Sequence, residues 1–588
     1  MRRELALAGA FLLLVAVLAR AQTFANPVIG YDEQFYLLVG DRMLKGALPY
    51  VDIFDRKPIG LFLIYALARL VPLDPFVSYK LLALAFLSVT ALGVYGIARQ
   101  ASGRFAALAA ATAFILWHDF MGGEGGQSPV FYDLFMQAGA LLVLRAIRQP
   151  GRLGPLGCGA MLCVGLALQV KYSVLGEGVY FGCALLWMAW RLGRGWRVVL
   201  GWGVAWIAAA LASTALVLGV YALLGHADAF LFTNFATVFA QGRNPLAVQL
   251  LDLAETTAIL APLLLILAVG QARGMLRDRG AEGLFLWGWL AASILGLLAF
   301  WRFNSPHYAL PVLLPLTMLM APVFDARPRR PLVTVLLLGA AMVMAQVVLA
   351  DHARRRGGPL EAAMVAQAAR GGQGCIYVHA GYPALYMLTG SCLPSRWAFP
   401  GSLNMQDEAK PQAIGVDPAR EVARILATRP PAIVDEWPVS RFGNRATQAL
   451  VDRALRRDYA LAARVALPGG RAQLVYRLRS GGVAVSSADA AAGAGPPASA
   501  ASSARAERIS IRPSRNSATP IRNGTPPNIS TTGNIEMFSA PPPPSVRPTA
   551  SKVSVHSPLA PPIKMPRASS KPPNNVFISG LPLPERGA

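Results

Sequence analysis

Charge is scarce in this sequence. Asp, Glu, Lys and Arg make up 15% of its 588 residues, while hydrophobic residues make up 54%. An ordinary soluble domain carries about 25% charged residues, so the balance argues against a soluble globular protein and for an integral membrane one. Acids are scarcer than bases, 31 against 55, which leaves a net charge of +24. That excess is no nucleic-acid footprint, because much of it sits in short arginine-rich connections between apolar runs and more in a basic C-terminal tail. In such connections it orients helices across a bilayer. Cysteine is rare too, with five in the chain. Cys158, Cys163 and Cys183 fall inside apolar runs and read as small packing residues. The sequence has no Cys/His cluster of metal-binding spacing and no Gly-rich loop followed by Lys-Ser/Thr to cradle a nucleotide.

Apolar runs of spanning length are abundant instead. They lie near 4–20, 77–98, 104–121, 130–147, 153–170, 174–190, 198–224, 250–270, 283–300, 306–323 and 331–350. A further run, 59–71, is short and carries Arg69. The arginines decide its fate. With Arg2 and Arg3 in the cytoplasm and 59–71 lying flat at the interface, the cytoplasmic connections carry Arg99 and Arg104, then Arg145, Arg148 and Arg152, then Arg191, Arg194 and Arg197. Later ones carry Arg273, Arg277 and Arg279, and Arg327, Arg329 and Arg330. Beyond the first loop, the opposite face has only Lys171, Arg243 and Arg302. Were 59–71 to cross, this bias would invert. The expected fold is therefore an all-α polytopic bundle of about eleven crossings, spanning residues 1–350, with interfacial helices in a first extracytoplasmic loop at 25–76. Arg2-Arg3, the first apolar run and Ala19-Arg20-Ala21 also fit a cleavable signal peptide, and either reading leaves the later sidedness unchanged.

Residues 351–480 change character. Polar helical stretches, Pro359 to Arg370 and Ala419 to Ala427, alternate with β-like runs at 375–378, 432–434 and 473–476. This pattern predicts a small extracytoplasmic α/β domain. Cys375 and Cys392 either pair there or remain thiols; the spacing leaves both open. From 481 to 588 the chain is Ala-, Ser- and Pro-rich with two aromatics, Phe538 and Phe577. Such a segment buries too little apolar area to offset its ordering entropy, and is expected to be disordered.

The first loop is the most informative stretch. Asp32, Glu33, Asp41, Asp52 and Asp55 lie within 24 residues, beside Arg42, Lys45, Arg56 and Lys57. A charge at the centre of a spanning helix costs about 2.5–3.5 kcal/mol, so these groups belong in water at a membrane face. The same face receives the 118–129 loop with Glu124, the Lys171-Tyr172-Ser173 turn, and the stretch Arg302 to Tyr308. Cations beside aromatics suit a lipid-linked phosphate, and carboxylates suit a general base or a metal. Lys171 and Glu177 read as a structural pair near a helix start. A transporter or flippase, or a non-catalytic envelope glycan assembly protein, is the alternative reading. It would place ionisable residues near helix centres, whereas here the charges gather at one face.

The Asp32-Glu33 pair, the spaced Gly46, Pro49, Phe54 and Lys57-Pro58, and the late Arg302…His307-Tyr308-Ala309-Leu310-Pro311…Leu314-Pro315 stretch resemble the polytopic GT-C glycosyltransferases. The resemblance is closest to the dolichyl-phosphate-mannose protein mannosyltransferase and aminoarabinose transferase group, and it covers about residues 1–350. It implies transfer of a sugar, with inversion, from a polyprenyl-phosphate donor to a glycan, lipid or protein acceptor outside the inner (plasma) membrane. Asp32 corresponds to the acid that acts as base, accompanied by Glu33, and Glu124 to the second-loop acid, with Asp133 as its rival. Lys57 corresponds to the lysine that grips the polyprenyl phosphate, with Arg56 beside it. Arg302, His307 and Tyr308 correspond to donor contacts. A divalent cation, Mg or Mn, on Asp32 and Glu124 is also implied. Here the sequence departs from the pattern, because Gln127-Ser128-Pro129 stands where an acid is often found.

Overall fold

The computed structural model describes residues 2–276, 280–325 and 330–479. The expectation for 481–588 lies outside these residues. The chain runs through α1 (Arg2–Arg20), α2 (Tyr31–Met43), α3 (Ile59–Arg69), α4 (Pro75–Ala98), α5 (Arg104–Phe120), α6 (Ser128–Arg148), α7 (Leu153–Leu168) and α8 (Leu175–Arg191). It continues with α9 (Trp196–Leu223), α10 (Ala227–Leu231), α11 (Thr237–Ala240), α12 (Leu246–Ala272), α13 (Gly280–Phe300), α14 (Leu313–Met320), α15 (Arg330–Arg356) and α16 (Pro359–Ala369).

Among the described residues, ten helical segments are long and apolar enough to cross a membrane. The protein is a multi-pass, mostly helical membrane protein. The eleventh expected run is α5, whose 17 residues fall just short in length. It is nonetheless central, packed against α1, α4, α14 and α15. Its buried Ala106, Ala107, Ala110, Ala111 and Ala113 allow that close approach. The segment that also fits a cleavable leader, α1, is a packed member of the bundle, with Ala8, Leu12, Ala16 and Ala19 buried against α4 and α5.

Helix α3 has 11 residues, a rise of about 16 Å against a hydrocarbon core of about 30 Å. It does not cross. The start of α4 returns to the end of α1: the Lys80 ammonium donates to the carbonyls of Thr23 at 2.6 Å and Asn26 at 2.5 Å. Asp41 ties α2 to α3 through Arg69 at 3.1 Å. Asp74 then caps α4, its carboxylate accepting from the backbone N–H groups of Phe76 and Val77 ahead of the first turn, with Pro75 at the first position.

The C-terminal region builds a four-stranded sheet of order β1-β2-β4-β3 from β1 (Tyr377–Val378), β2 (Ala432–Trp437), β3 (Tyr459–Leu467) and β4 (Arg471–Leu478). β1 and β2 are parallel; the other pairings are antiparallel. Three strands match the β-like runs in the sequence. β3 does not, because its YALAARVAL sequence is rich in alanine, a residue depleted in strands. The turn that follows carries the signal. Gly469 and Gly470 have φ of 75° and 74°, and this consecutive left-handed pair closes the β3–β4 hairpin. Cys375 and Cys392 are joined in a disulfide across 17 residues of sequence. The first loop docks onto this domain: Phe54 enters its core beside Tyr377, Leu403 and Ile414, and its N–H donates to the Arg396 carbonyl at 2.9 Å.

Candidate active site

A cavity of about 460 Å³ opens where the first loop, the 121–127 loop, the 171–173 turn, the 302–308 stretch and the C-terminal region meet. Asp32, Glu33, Arg56, Lys57, Glu124, Arg302, His307 and Tyr308 all line it. Residues read from widely separated parts of the sequence thus share one space. Asp133 does not line it. It is buried in the second turn of α6, with His118 Nε2 3.6 Å from its Oδ2.

The acids differ sharply in environment. Asp32, in the first turn of α2, is half-buried and enters no ion pair among the described residues. Glu33, its neighbour, is 1% exposed. Glycine backbone cradles its carboxylate: a Cβ at Gly125 would lie 2.1 Å from Glu33 Oε2, and one at Gly30 2.5 Å from it. Burial, then the charge of Glu124, pushes Glu33 up to about 7. Burial would raise Glu124 as well, but His352 at 3.4 Å and Arg356 at 3.6 Å from its Oε1 outweigh that and hold it below the ordinary value.

The cations divide into struts and free groups. Arg56 is fully spent: it grips Glu408 through two bonds of 2.6 Å and also donates to Thr237 Oγ1 and the Ala413 carbonyl. Arg302 donates to the carbonyls of Gln241 and Gly242 at 3.3 and 3.2 Å. Both therefore brace the wall formed by 237–242 and 407–413. Lys57 is looser, with Asp55 Oδ1 at 3.6 Å and its ammonium 5.4 Å from the centre of the Tyr36 ring. Burial alone would lower it, but Asp55 and Asp32 keep it above the usual lysine value. His307 Nδ1 pairs with Ser305 Oγ at 2.7 Å, and its ring packs on Tyr308.

Lys171 does not pair with Glu177. Six residues apart, the two do not share the helical face that a spacing of three or four would give. Glu177 instead accepts from Trp289 Nε1 at 2.6 Å and Ser293 Oγ at 3.0 Å. Lys171 lines the cavity, its ammonium 4.3 Å above the Tyr308 ring. Burial, then the nearby Lys57, pushes it down to about 7. Arg356, at the end of α15, is a second cavity cation that motif reading missed. Its signal is the Arg354-Arg355-Arg356 run, placed on the face that is otherwise poor in arginine.

A divalent cation on Asp32 and Glu124 does not fit this donor set. Glu124 Oε1 already faces an imidazole and a guanidinium. Among the described residues, no group of three or more His, Cys, Asp or Glu is placed to hold a metal ion.

No family model and no curated protein sequence matches the chain. Solved structures do. The chain is similar to ArnT from Cupriavidus metallidurans bound to undecaprenyl phosphate, at 14% identity and a TM-score of 0.53, over 80% of this chain and 97% of that one. It matches the apo state of that protein at 15% identity and a TM-score of 0.54, with the same coverage. The chain has the GT-C fold. Arabinofuranosyltransferase AftD from Mycobacteria also aligns, over 82% of this chain and 40% of that one, at 15% identity and a TM-score of 0.43. The GT-C match covers most of the described chain.

The buried ionisable groups of the GT-C bundle also keep to one end. Lys80 lies in the second turn of α4, Asp133 in the second of α6 and Glu177 in the first of α8, while Arg20, His118 and Asp119 lie in the last turns of α1 and α5. Arg20 Nε contacts Asp119 Oδ1 at 3.1 Å, and its Nη2 donates to the Gly123 carbonyl at 2.5 Å. This pair anchors the loop that carries Glu124.

Proposed function

We propose that this protein transfers a sugar from a polyprenyl-phosphate donor to an acceptor hydroxyl at the outer face of the inner membrane, with inversion at the anomeric carbon. The observation that carries the reading is one cavity that holds an unpaired carboxylate, Asp32, beside two lightly engaged lysines, Lys57 and Lys171. Asp32 takes the acceptor proton as the hydroxyl oxygen attacks the anomeric carbon. The bond from that carbon to the phosphate oxygen breaks, and polyprenyl phosphate leaves with its charge met by the two ammonium groups. Arg356 adds positive charge to the cavity from the end of α15. Glu33, cradled in glycine backbone, and Glu124, held by His352 and Arg356, shape the cavity floor. Arg302, His307 and Tyr308 line the same cavity, and the donor headgroup rests against them. No step runs through a metal.

The GT-C fold supports the reaction class, and the Cys375–Cys392 disulfide suits an oxidising extracytoplasmic compartment. Purified protein is incubated with labelled polyprenyl-phosphate sugars, and Asp32→Asn is compared with the unaltered chain. Release of free polyprenyl phosphate by the unaltered chain alone supports the reading. Equal release by both removes Asp32 as the base, and release by neither favours the transporter or assembly alternative.

A further inference from the structure

The turn between α8 and α9 gathers three arginines, each set beside an indole. Arg99 and Arg104 both reach Glu4, at 3.0 and 3.1 Å, and Arg148 grips Glu282. Arg191, Arg194 and Arg197 enter no ion pair and donate no side-chain hydrogen bond among the described residues. Each is instead laid on an indole: Arg191 on Trp187 at 5.5 Å, Arg194 on Trp202 at 5.8 Å and Arg197 on Trp196 at 5.3 Å. A cation–π contact pairs none of the five guanidinium N–H donors with an acceptor oxygen, so donors remain for a phosphate. The turn that assembles them is sharp. Gly193 has a φ of 65°, and the Arg194 N–H reaches back to the Ala189 carbonyl at 3.2 Å. Open space surrounds it, since a Cβ added at Gly193, Gly195 or Gly201 would meet nothing within 4 Å. Trp190 and Trp196 are 69% and 71% exposed, a costly arrangement in water but an ordinary one at the level of lipid headgroups.

The patch stands far from the cavity. Helix α8 begins at Leu175, just after the cavity-lining residues 171–173, and runs 17 residues to Arg191. That is a rise of about 26 Å, close to a hydrocarbon thickness. We propose that the α8–α9 turn binds the phosphate headgroup of an anionic glycerophospholipid in the leaflet opposite the cavity. Three guanidinium edges meet the phosphate oxygens, while the indole rings sit among the glycerol and upper acyl carbons. Neutralised arginines would give only general interfacial anchoring. Unneutralised ones give selection by charge, roughly fivefold local enrichment for each arginine.

The test uses the full chain in phosphatidylcholine vesicles. These contain the same small fraction of either phosphatidylglycerol or phosphatidylcholine brominated on the upper acyl chain, and tryptophan fluorescence is read. Brominated phosphatidylglycerol is expected to quench the unaltered protein more strongly than brominated phosphatidylcholine. That preference is lost in R191Q/R194Q/R197Q and kept in R191K/R194K/R197K, which retains the charge. Equal quenching by the two lipids in the unaltered protein overturns the proposal, as does a preference that survives in the glutamine variant. Should the glutamine variant fail to fold, the unaltered and lysine proteins in high salt decide the matter: screening abolishes a headgroup preference, and a preference that persists overturns it.

Discussion

Lys171 shows how much of the site's chemistry is set one residue at a time. Its ammonium sits over the Tyr308 ring, is largely out of water, and has Lys57 as a neighbour, so it titrates at about 7. A lowered lysine is charged only below its shifted value. Donor phosphate therefore meets two ammonium groups below about pH 7 and one above it. The KM for the donor is expected to rise as pH climbs through 7 to 9. Lys171→Arg, whose guanidinium stays charged throughout, is expected to abolish that arm of the profile. Lys171→Met removes a charged hydrogen-bond donor worth about 1.5–3 kcal/mol, so kcat/KM should fall by roughly 10- to 100-fold. Glu33 carries the opposite sign. Its folded value is raised to about 7 by burial and Glu124, so the folded state binds the proton more tightly than the unfolded one. Its penalty is absent below the ordinary glutamate value, grows as pH rises towards 7 and is complete above it. Glu33→Gln is expected to melt higher than the unaltered protein at pH 8 and to match it near pH 4.5, read as Tm in detergent. An equal shift at both pH values would refute the buried-carboxylate account.

At the scale of elements, what the sequence made legible follows from periodicity and solvation. Long apolar runs have few alternatives to a helix in a bilayer, so α4, α6 to α9, α12, α13 and α15 stand where the apolar runs lie. The acids of the first loop were legible because charge has nowhere else to go. Three things were not. β3 hides behind alanines whose strand conformation is imposed by pairing with β4. Lys171 was obscured by a nearby acid that offered a simpler partner. The wall formed by 399–408 depends on a docking that no local pattern announces, in which Gly242 donates to the Asp407 carbonyl at 2.8 Å and Arg56 grips Glu408. Two glycines give an element-scale test. Gly125 presses on Glu33, and an added methyl would sit 2.1 Å from its Oε2. Gly219, within α9, has nothing within 4 Å. Gly125→Ala is expected to displace the loop carrying Glu124 and cut polyprenyl phosphate release at least tenfold. Gly219→Ala should leave release unchanged and raise stability by up to about 1 kcal/mol through helix propensity. A Gly125→Ala protein with normal release would mean that the loop has slack the packing does not show.

The whole molecule poses a question of geography. Following the chain from Arg20 through the described residues, the helix ends that reach the cavity gather on one face, and the turns that carry Arg99, Arg104, Arg148 and Arg191 to Arg197 lie at the other ends of those helices. Arg20 meets Gly123 and Asp119; Lys80 meets Thr23 and Asn26; residues 171–173, Phe300 and Arg356 return to the cavity. At the far face, Asp325 Oδ2 accepts from the Gly103 N–H at 3.1 Å, joining two turns that sequence separates by more than two hundred residues. The alternation holds only because α3 stays on the cavity side. If the arginine-rich face is cytoplasmic, the cavity and the disulfide-bearing region are outside. Alkaline phosphatase, active only outside the cytoplasm, is expected to be active when fused after Pro72 and inactive when fused after Gly193. A cytoplasmic signal after Pro72 would place Asp32 and Lys57 inside the cell. A polyprenyl-phosphate donor presented at the outer leaflet could not reach them there, and the arginine bias would have misread this bundle.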